Sequence, residues 1–292
     1  MPVELSTVVE ALVTPFIALP DSAMNRPWTF EEYDEEGLRF ALLQTGLELR
    51  ELAVLTLEAR SATHPPTTAQ RIMAQYHAAG RDLTATLIGL SAADFKRAPA
   101  PEAWSIRQTF QHMLWAALSF LAVTRYALER QRSTDQRPID PPDDVLDLLI
   151  EALNTQFGVG AYDDDSGSLA EVLARFDAIQ ALISTELGAV ADRELEWPSV
   201  WWEGHEKPIR FRLLRFEAHL RQHTVQIEKT RQQLGYSITE AHWLIRQVYN
   251  ALAEAEGAAF GVQIGGEVWQ MRSALIETIR QRAAQVTALL NG

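Results

Sequence analysis

The 292-residue chain contains no cysteine. That single absence excludes disulfides, thiolate metal sites and a cysteine nucleophile. Positive charge is scarce: 26 basic residues face 39 acidic ones, a formal net charge of −13. So acidic a surface repels phosphate backbones and anionic lipid, so neither nucleic acid nor a membrane is an expected partner. Long apolar runs are missing as well. The longest, Met113 to Val123, falls well short of the roughly 20 residues a membrane helix needs. The start of the chain lacks a basic segment, and Glu4 and Glu10 interrupt its apolar stretch; a cytoplasmic protein is expected. No glycine-rich phosphate loop, G-x-S-x-G elbow or fixed-period repeat occurs, and Gly265-Gly266 reads as a turn.

What is present is the composition of a globular protein, 47% hydrophobic and 22% charged. Apolar residues recur at three- and four-residue spacing, with little strict alternation, which predicts an all-α fold. Helical stretches are expected near 29–62, 67–90, 105–131, 168–188, 208–234, 238–257 and 266–290. A weaker one falls near 4–18 and a short one over 143–154. Five pairs fit the capping-box spacing: Thr29 with Glu32, Thr67 with Gln70, Ser105 with Gln108, Ser168 with Glu171, and Ser237 with Glu240. Gly235 is placed to end a helix in the left-handed conformation. The acidic run Glu31, Glu32, Asp34, Glu35 and Glu36 reads as the solvated first turns of a helix. Asp163, Asp164 and Asp165 read as a flexible loop without calcium-ligand spacing.

Residues 67–235 supply four long helices, enough for a four-helix bundle. Segments 1–66 and 236–292 read as helical extensions, too poor in core for a second domain. Their apolar faces, including Val248, Leu252, Leu275 and Ile279, need cover from the bundle or from a second copy. Sequence leaves a homodimer open.

Seven histidines punctuate the chain. His219 and His223 lie four apart, which on a helix places both rings on one face, a turn apart. Phe216, Leu220, Ile227 and Leu234 share that face, so the pair points into the bundle. His112 lies on the edge of the apolar stripe of the 105–131 helix, beside Phe110, Met113 and Ala117. Three inward-leaning imidazoles on two helices are difficult to satisfy without a cation. Three nitrogen ligands would also leave an open coordination position, as catalytic sites do. His64, His77 and His242 have no partner at ligand spacing.

The run Trp104-Ser105-Ile106-Arg107-Gln108-Thr109-Phe110-Gln111-His112-Met113 resembles the second-helix signature of the DinB superfamily. The run His219-Leu220-Arg221-Gln222-His223-Thr224-Val225-Gln226-Ile227 resembles its fourth-helix signature. The resemblance covers about 170 residues. It implies a four-helix bundle with a divalent metal, zinc or nickel, on His112, His219 and His223. Relatives include thiol-dependent transferases and isomerases, and the metal-binding part of an iron sulfoxide synthase. That synthase carries H-x-x-x-H-x-E, whereas Val225 stands at the glutamate position here.

With neutral ligands an ion keeps its full charge and activates a thiol or water near neutral pH. The expected function is therefore a metal-dependent thiol S-transferase or hydrolase acting on a small-molecule substrate, with a low-molecular-weight thiol as cosubstrate. The rival is a helical binding protein with a structural metal or none. Trp197, Trp201 and Trp202 precede the ligand-bearing helix and either wall a pocket or plug the bundle end. Among them, Glu203 and His205 are candidate proton-transfer groups. Gln108 and Gln226 are candidate partners for the imidazoles.

Overall fold

The structure, a computed structural model, describes residues 4–30, 33–61, 63–133, 137–262 and 265–291. It is all-α, with ten α-helices among the described residues: α1 Leu5–Val13, α2 Arg39–Ser61, α3 Thr68–Leu87, α4 Ala92–Lys96, α5 Ile106–Arg132, α6 Asp143–Phe157, α7 Leu169–Gly188, α8 Ile209–Gln233, α9 Glu240–Ala258 and α10 Gly266–Asn291. The only paired strands there are β1 Pro198–Ser199 and β2 Lys207–Pro208, antiparallel. The chain divides into two compact units.

One unit contains Thr67–Gly80 and Leu90–Gly235, and it is the four-helix bundle of α3, α5, α7 and α8. Three capping boxes form as expected. Thr67 and Gln70 exchange side-chain and backbone bonds at 3.2 Å each. Ser105 with Gln108 starts α5, and Ser168 with Glu171 starts α7. Each closes orphan amides at the point where the apolar stripe begins. Gly235, at φ +94°, ends α8 in the left-handed region. The core runs through Phe95, Phe110, Leu213 and Ile227, all fully buried, and Phe110 meets Phe176 edge-on at 6.0 Å. From α3, Tyr76 packs on Phe216 of α8 at 5.5 Å. Gln180 of α7 donates to the Tyr76 carbonyl at 3.2 Å.

The short strands close the tryptophan-bearing connector into a hairpin, which sequence periodicity did not anticipate. Arg212 in the first turn of α8 ties it down. Its Nε donates to Ser199 Oγ at 2.9 Å, and its Nη1 to both Glu203 oxygens at 2.7 and 2.8 Å. That ion pair is desolvated, with the two side chains 2% and 6% exposed.

The other unit contains Met1–Pro66, Arg81–Gly89 and Tyr236–Gly292. The expectation that these extensions lack a core is corrected. Helices α1, α2, α9 and α10 enclose Val9, Leu12, Leu42, Leu49, Leu252 and Ile279, among others. The final turns of α3 join this unit through two ion pairs to α9: Arg81 with Glu256 at 2.6 Å and Asp82 with Arg246 at 2.5 Å.

Two helix starts also differ from expectation. Helix α2 begins at Arg39 rather than near Thr29, and Glu31 and Glu32 lie outside the described residues. Gly37 explains the delay: its φ is +63°, and a Cβ there would lie 2.8 Å from the Arg26 carbonyl oxygen. The chain turns at that point before the helix can start. Asp34, Glu35 and Glu36 therefore precede the helix instead of forming its first turns. Helix α9 is capped by Thr239 with His242, not by Ser237 with Glu240, whose amide donates instead to Asp21. No helix among the described residues is long and apolar enough to cross a membrane.

Candidate metal centre

Helices α5 and α8 pack side by side within the bundle. Residue 112 of one and residues 219 and 223 of the other meet at this seam. The Nε2 atoms of His112 and His219 are 3.1 Å apart, as are those of His223 and His219. One ring nitrogen from each of the three lies within 4.8 Å of the others. Nitrogens bound to one tetrahedral ion at about 2.0–2.1 Å sit about 3.3 Å apart, so the spacing suits a shared cation.

The hydrogen bonding agrees. His223 Nδ1 faces the acceptor Oε1 of Gln226 at 2.8 Å, which puts its proton on Nδ1 and leaves a lone pair on Nε2. His112 Nδ1 is paired with the Tyr162 hydroxyl at 3.0 Å. Without a cation, the one Nε2 of His219 would have to serve both neighbouring Nε2 atoms; a dication would accept all three lone pairs. The residues present therefore fit a divalent ion. No fourth histidine, aspartate or glutamate joins the group among the described residues.

Burial disfavours the charged form of all three rings. Burial, then repulsion from His223, His112 and Arg215, pushes His219 down to about 3. Burial and His223 lower His112; burial lowers His223, partly opposed by Gln226. The sign of the consequence follows from linkage. An unfolded chain would take up a proton near the ordinary histidine value of about 6.5, while the folded His219 does not. Its contribution to stability is complete above that value and is lost as pH falls toward about 3. Metal-free protein is expected to unfold at progressively lower urea concentration between pH 7 and pH 5, and a flat midpoint across that range would contradict this.

Sequence reading did not foresee the aromatic and polar wall around His112. Tyr162 and Trp104 flank it, Trp104 at 5.4 Å from the imidazole, and Trp115 packs on Tyr162 at 5.8 Å. Tyr162 lies in the 158–168 connection, whose aspartates were expected to be flexible. Instead two residues of α5 hold that loop. Arg107, fully buried, donates through Nε and Nη2 to the Ser166 carbonyl at 2.8 and 2.7 Å, and through Nη1 to Gln111. Gln111 Nε2 then donates to the carbonyls of Gly160 and Ala161 at 3.0 and 2.7 Å. Asp164 accepts from the Ser166 amide at 2.8 Å, and bonds from Ser166 hold its carboxyl below the usual range.

The remaining candidates fall elsewhere. Gln226 orients an imidazole, but Gln108 does not, because its side chain caps α5. Glu203 is bound to Arg212, and His205 is exposed, with Nδ1 against the Glu203 carbonyl at 2.8 Å. Neither belongs to the histidine group. Trp202 is 66% exposed. Trp201 packs edge-on against Phe120 at 5.4 Å, and Phe120 packs edge-on against His219 at 5.4 Å, so one ring separates this tryptophan from the cluster.

A helical bundle carrying three convergent imidazoles on two adjacent helices defines the class of protein. The DinB superfamily model matches residues 75–227, just over half of the chain, and the protein belongs to that superfamily. No curated protein and no solved structure matches the chain.

Proposed function

We propose that the protein is a metal-dependent enzyme in which His112, His219 and His223 hold a divalent ion, zinc or nickel, and a small thiol or water is activated for attack on a small-molecule electrophile. The observation that carries this reading is the convergence of three Nε2 atoms with no fourth protein ligand in the group among the described residues. When bound, such an ion supplies positive charge that favours the deprotonated form of a thiol or water.

The chain's own residues do the rest. Gln226 and Tyr162 fix the orientation of the His223 and His112 rings, and outer partners of this kind tune ligand basicity. Phe120, Phe216 and Met113 line the inner side of His219 and leave a cavity of about 10 Å³, room for about one water. The inner face therefore has no room for a substrate, and substrate approach falls to the side of Tyr162, itself 46% exposed. The Tyr162 hydroxyl, rather than Glu203, is the group placed to hold a proton beside His112, because the Glu203 carboxylate is already taken by Arg212.

The test uses protein purified without a histidine tag and loaded with zinc or nickel, assayed with a panel of low-molecular-weight thiols and a chromogenic electrophile. Turnover that His112→Ala abolishes is the expected result. No rate above that of His112→Ala for any combination would overturn the enzymatic reading. A closed four-ligand spectrum of the cobalt-substituted protein would instead favour a structural ion in a binding protein.

A further inference from the structure

Arg215 lies one helical turn before His219 on α8. Its guanidinium sits 5.9 Å over the Phe120 ring, the same ring that packs on His219. Its Nε is buried without a hydrogen-bond partner, and it has no ion pair among the described residues. In a chain with 39 acidic and 26 basic residues, a half-buried arginine without a carboxylate is unexpected. Its neighbours are otherwise paired: Arg212 with Glu203, and Arg221 with Glu217. A buried donor left unsatisfied is costly and uncommon, so this one calls for an explanation.

Charge supplies it. No carboxylate belongs to the three-histidine group among the described residues, and Arg215 lies one turn before His219 on the same helix. A dication held there would face a second, uncompensated positive charge. The arrangement is balanced only when an anionic ligand occupies the space beside both. Guanidinium presents a planar fork that matches a carboxylate, and stacking on Phe120 restricts its orientation. A single cation on so acidic a protein suits a monoanion better than a phosphate dianion.

We propose that Arg215 is the anchor for a carboxylate group of the small-molecule substrate or cosubstrate, which it holds beside the three-histidine group. This rests on the metal-centre reading above and adds the substrate class to it.

Mercaptoacetate is a suitable probe, since it carries a thiol and a carboxylate on adjacent carbons. Mercaptoacetamide is its neutral counterpart. Binding of both to full-length, cobalt-loaded protein is read from the sulfur-to-cobalt absorption band. Mercaptoacetate is expected to bind at least tenfold more tightly than the amide. That preference should vanish in Arg215→Gln and be partly retained in Arg215→Lys, with cobalt stoichiometry unchanged in both. Equal binding of the two thiols, or a preference that survives Arg215→Gln, would overturn the assignment. Inorganic phosphate competing as well as acetate would overturn the carboxylate class.

If the wild-type protein takes up no cobalt, the metal reading fails by itself, and the Arg215 Nε–H resonance of metal-free protein decides the anion site. A saturable shift with mercaptoacetate but not with the amide supports it, and no shift overturns it.

Discussion

Replacing His219 by alanine is expected to remove divalent-metal binding altogether. Its Nε2 is the atom that both other rings approach at 3.1 Å, so the variant leaves two imidazoles without the member that joins them. The loss should exceed the roughly 10–100-fold in affinity that removal of an outer partner costs. Gln226→Leu, which takes away the acceptor for His223 Nδ1, provides that milder comparison. Elemental analysis and competition with a chromogenic chelator distinguish the two. Stoichiometric zinc or nickel in His219→Ala would mean that the ion, if there is one, sits elsewhere.

The second large effect concerns stability. Glu203→Ala leaves Arg212, 2% exposed, with its charge desolvated and no carboxylate in reach of Nη1. Breaking a buried pair by removing one member costs about 3–5 kcal/mol. The hairpin of β1 and β2 should loosen with it, because the same guanidinium holds Ser199. Urea unfolding monitored by tryptophan fluorescence would measure the loss, and Trp201 and Trp202 report from the affected hairpin. Metal content should remain at the wild-type level. If Glu203→Ala instead unfolds at the wild-type urea concentration but loses turnover, Glu203 is a proton-transfer group after all.

These two variants also mark where the sequence was informative. The fold class was readable from periodicity and from hydroxyl-to-glutamine or hydroxyl-to-glutamate spacing, since both are local consequences of helix geometry. The histidine trio was readable for the same reason. The i,i+4 spacing of His219 and His223 is a local feature, and the apolar neighbours of His112 set the side of α5 on which it lies. The elements that went unread depend on distant partners. Nothing local to Gly37 announces that Arg26 and Met24 crowd it. Ser237 and Thr239 both offer a hydroxyl three residues before a suitable side chain, and only the tertiary bond from the Glu240 amide to Asp21 separates them. Glu203 resembled a free acid because its partner lies nine residues on, across a hairpin.

The loop of Tyr162 carries the longest-range lesson. Three aspartates in a row suggested a solvated linker. Its anchorage resides in Arg107 and Gln111, whose targets are backbone carbonyls some fifty residues away and hence carry no side-chain signature. Arg215 was likewise overlooked. An arginine on an amphipathic helix is ordinary until its surroundings show that no acid among the described residues answers it.

Arg107, Gln111 and His112 share one rigid helix, and that has a consequence for how the centre tolerates change. A slide or tilt of α5 would carry the imidazole and the two clamps together, and the clamps would draw the segment from Gly160 to Ser166 along with them. The phenol would thus keep its register with the ring even while the distance to α8 varied. Substitutions that repack the bundle seam should accordingly alter the gap between helices before they disturb the environment of His112, which leaves the opening across that seam as the adjustable dimension of the site.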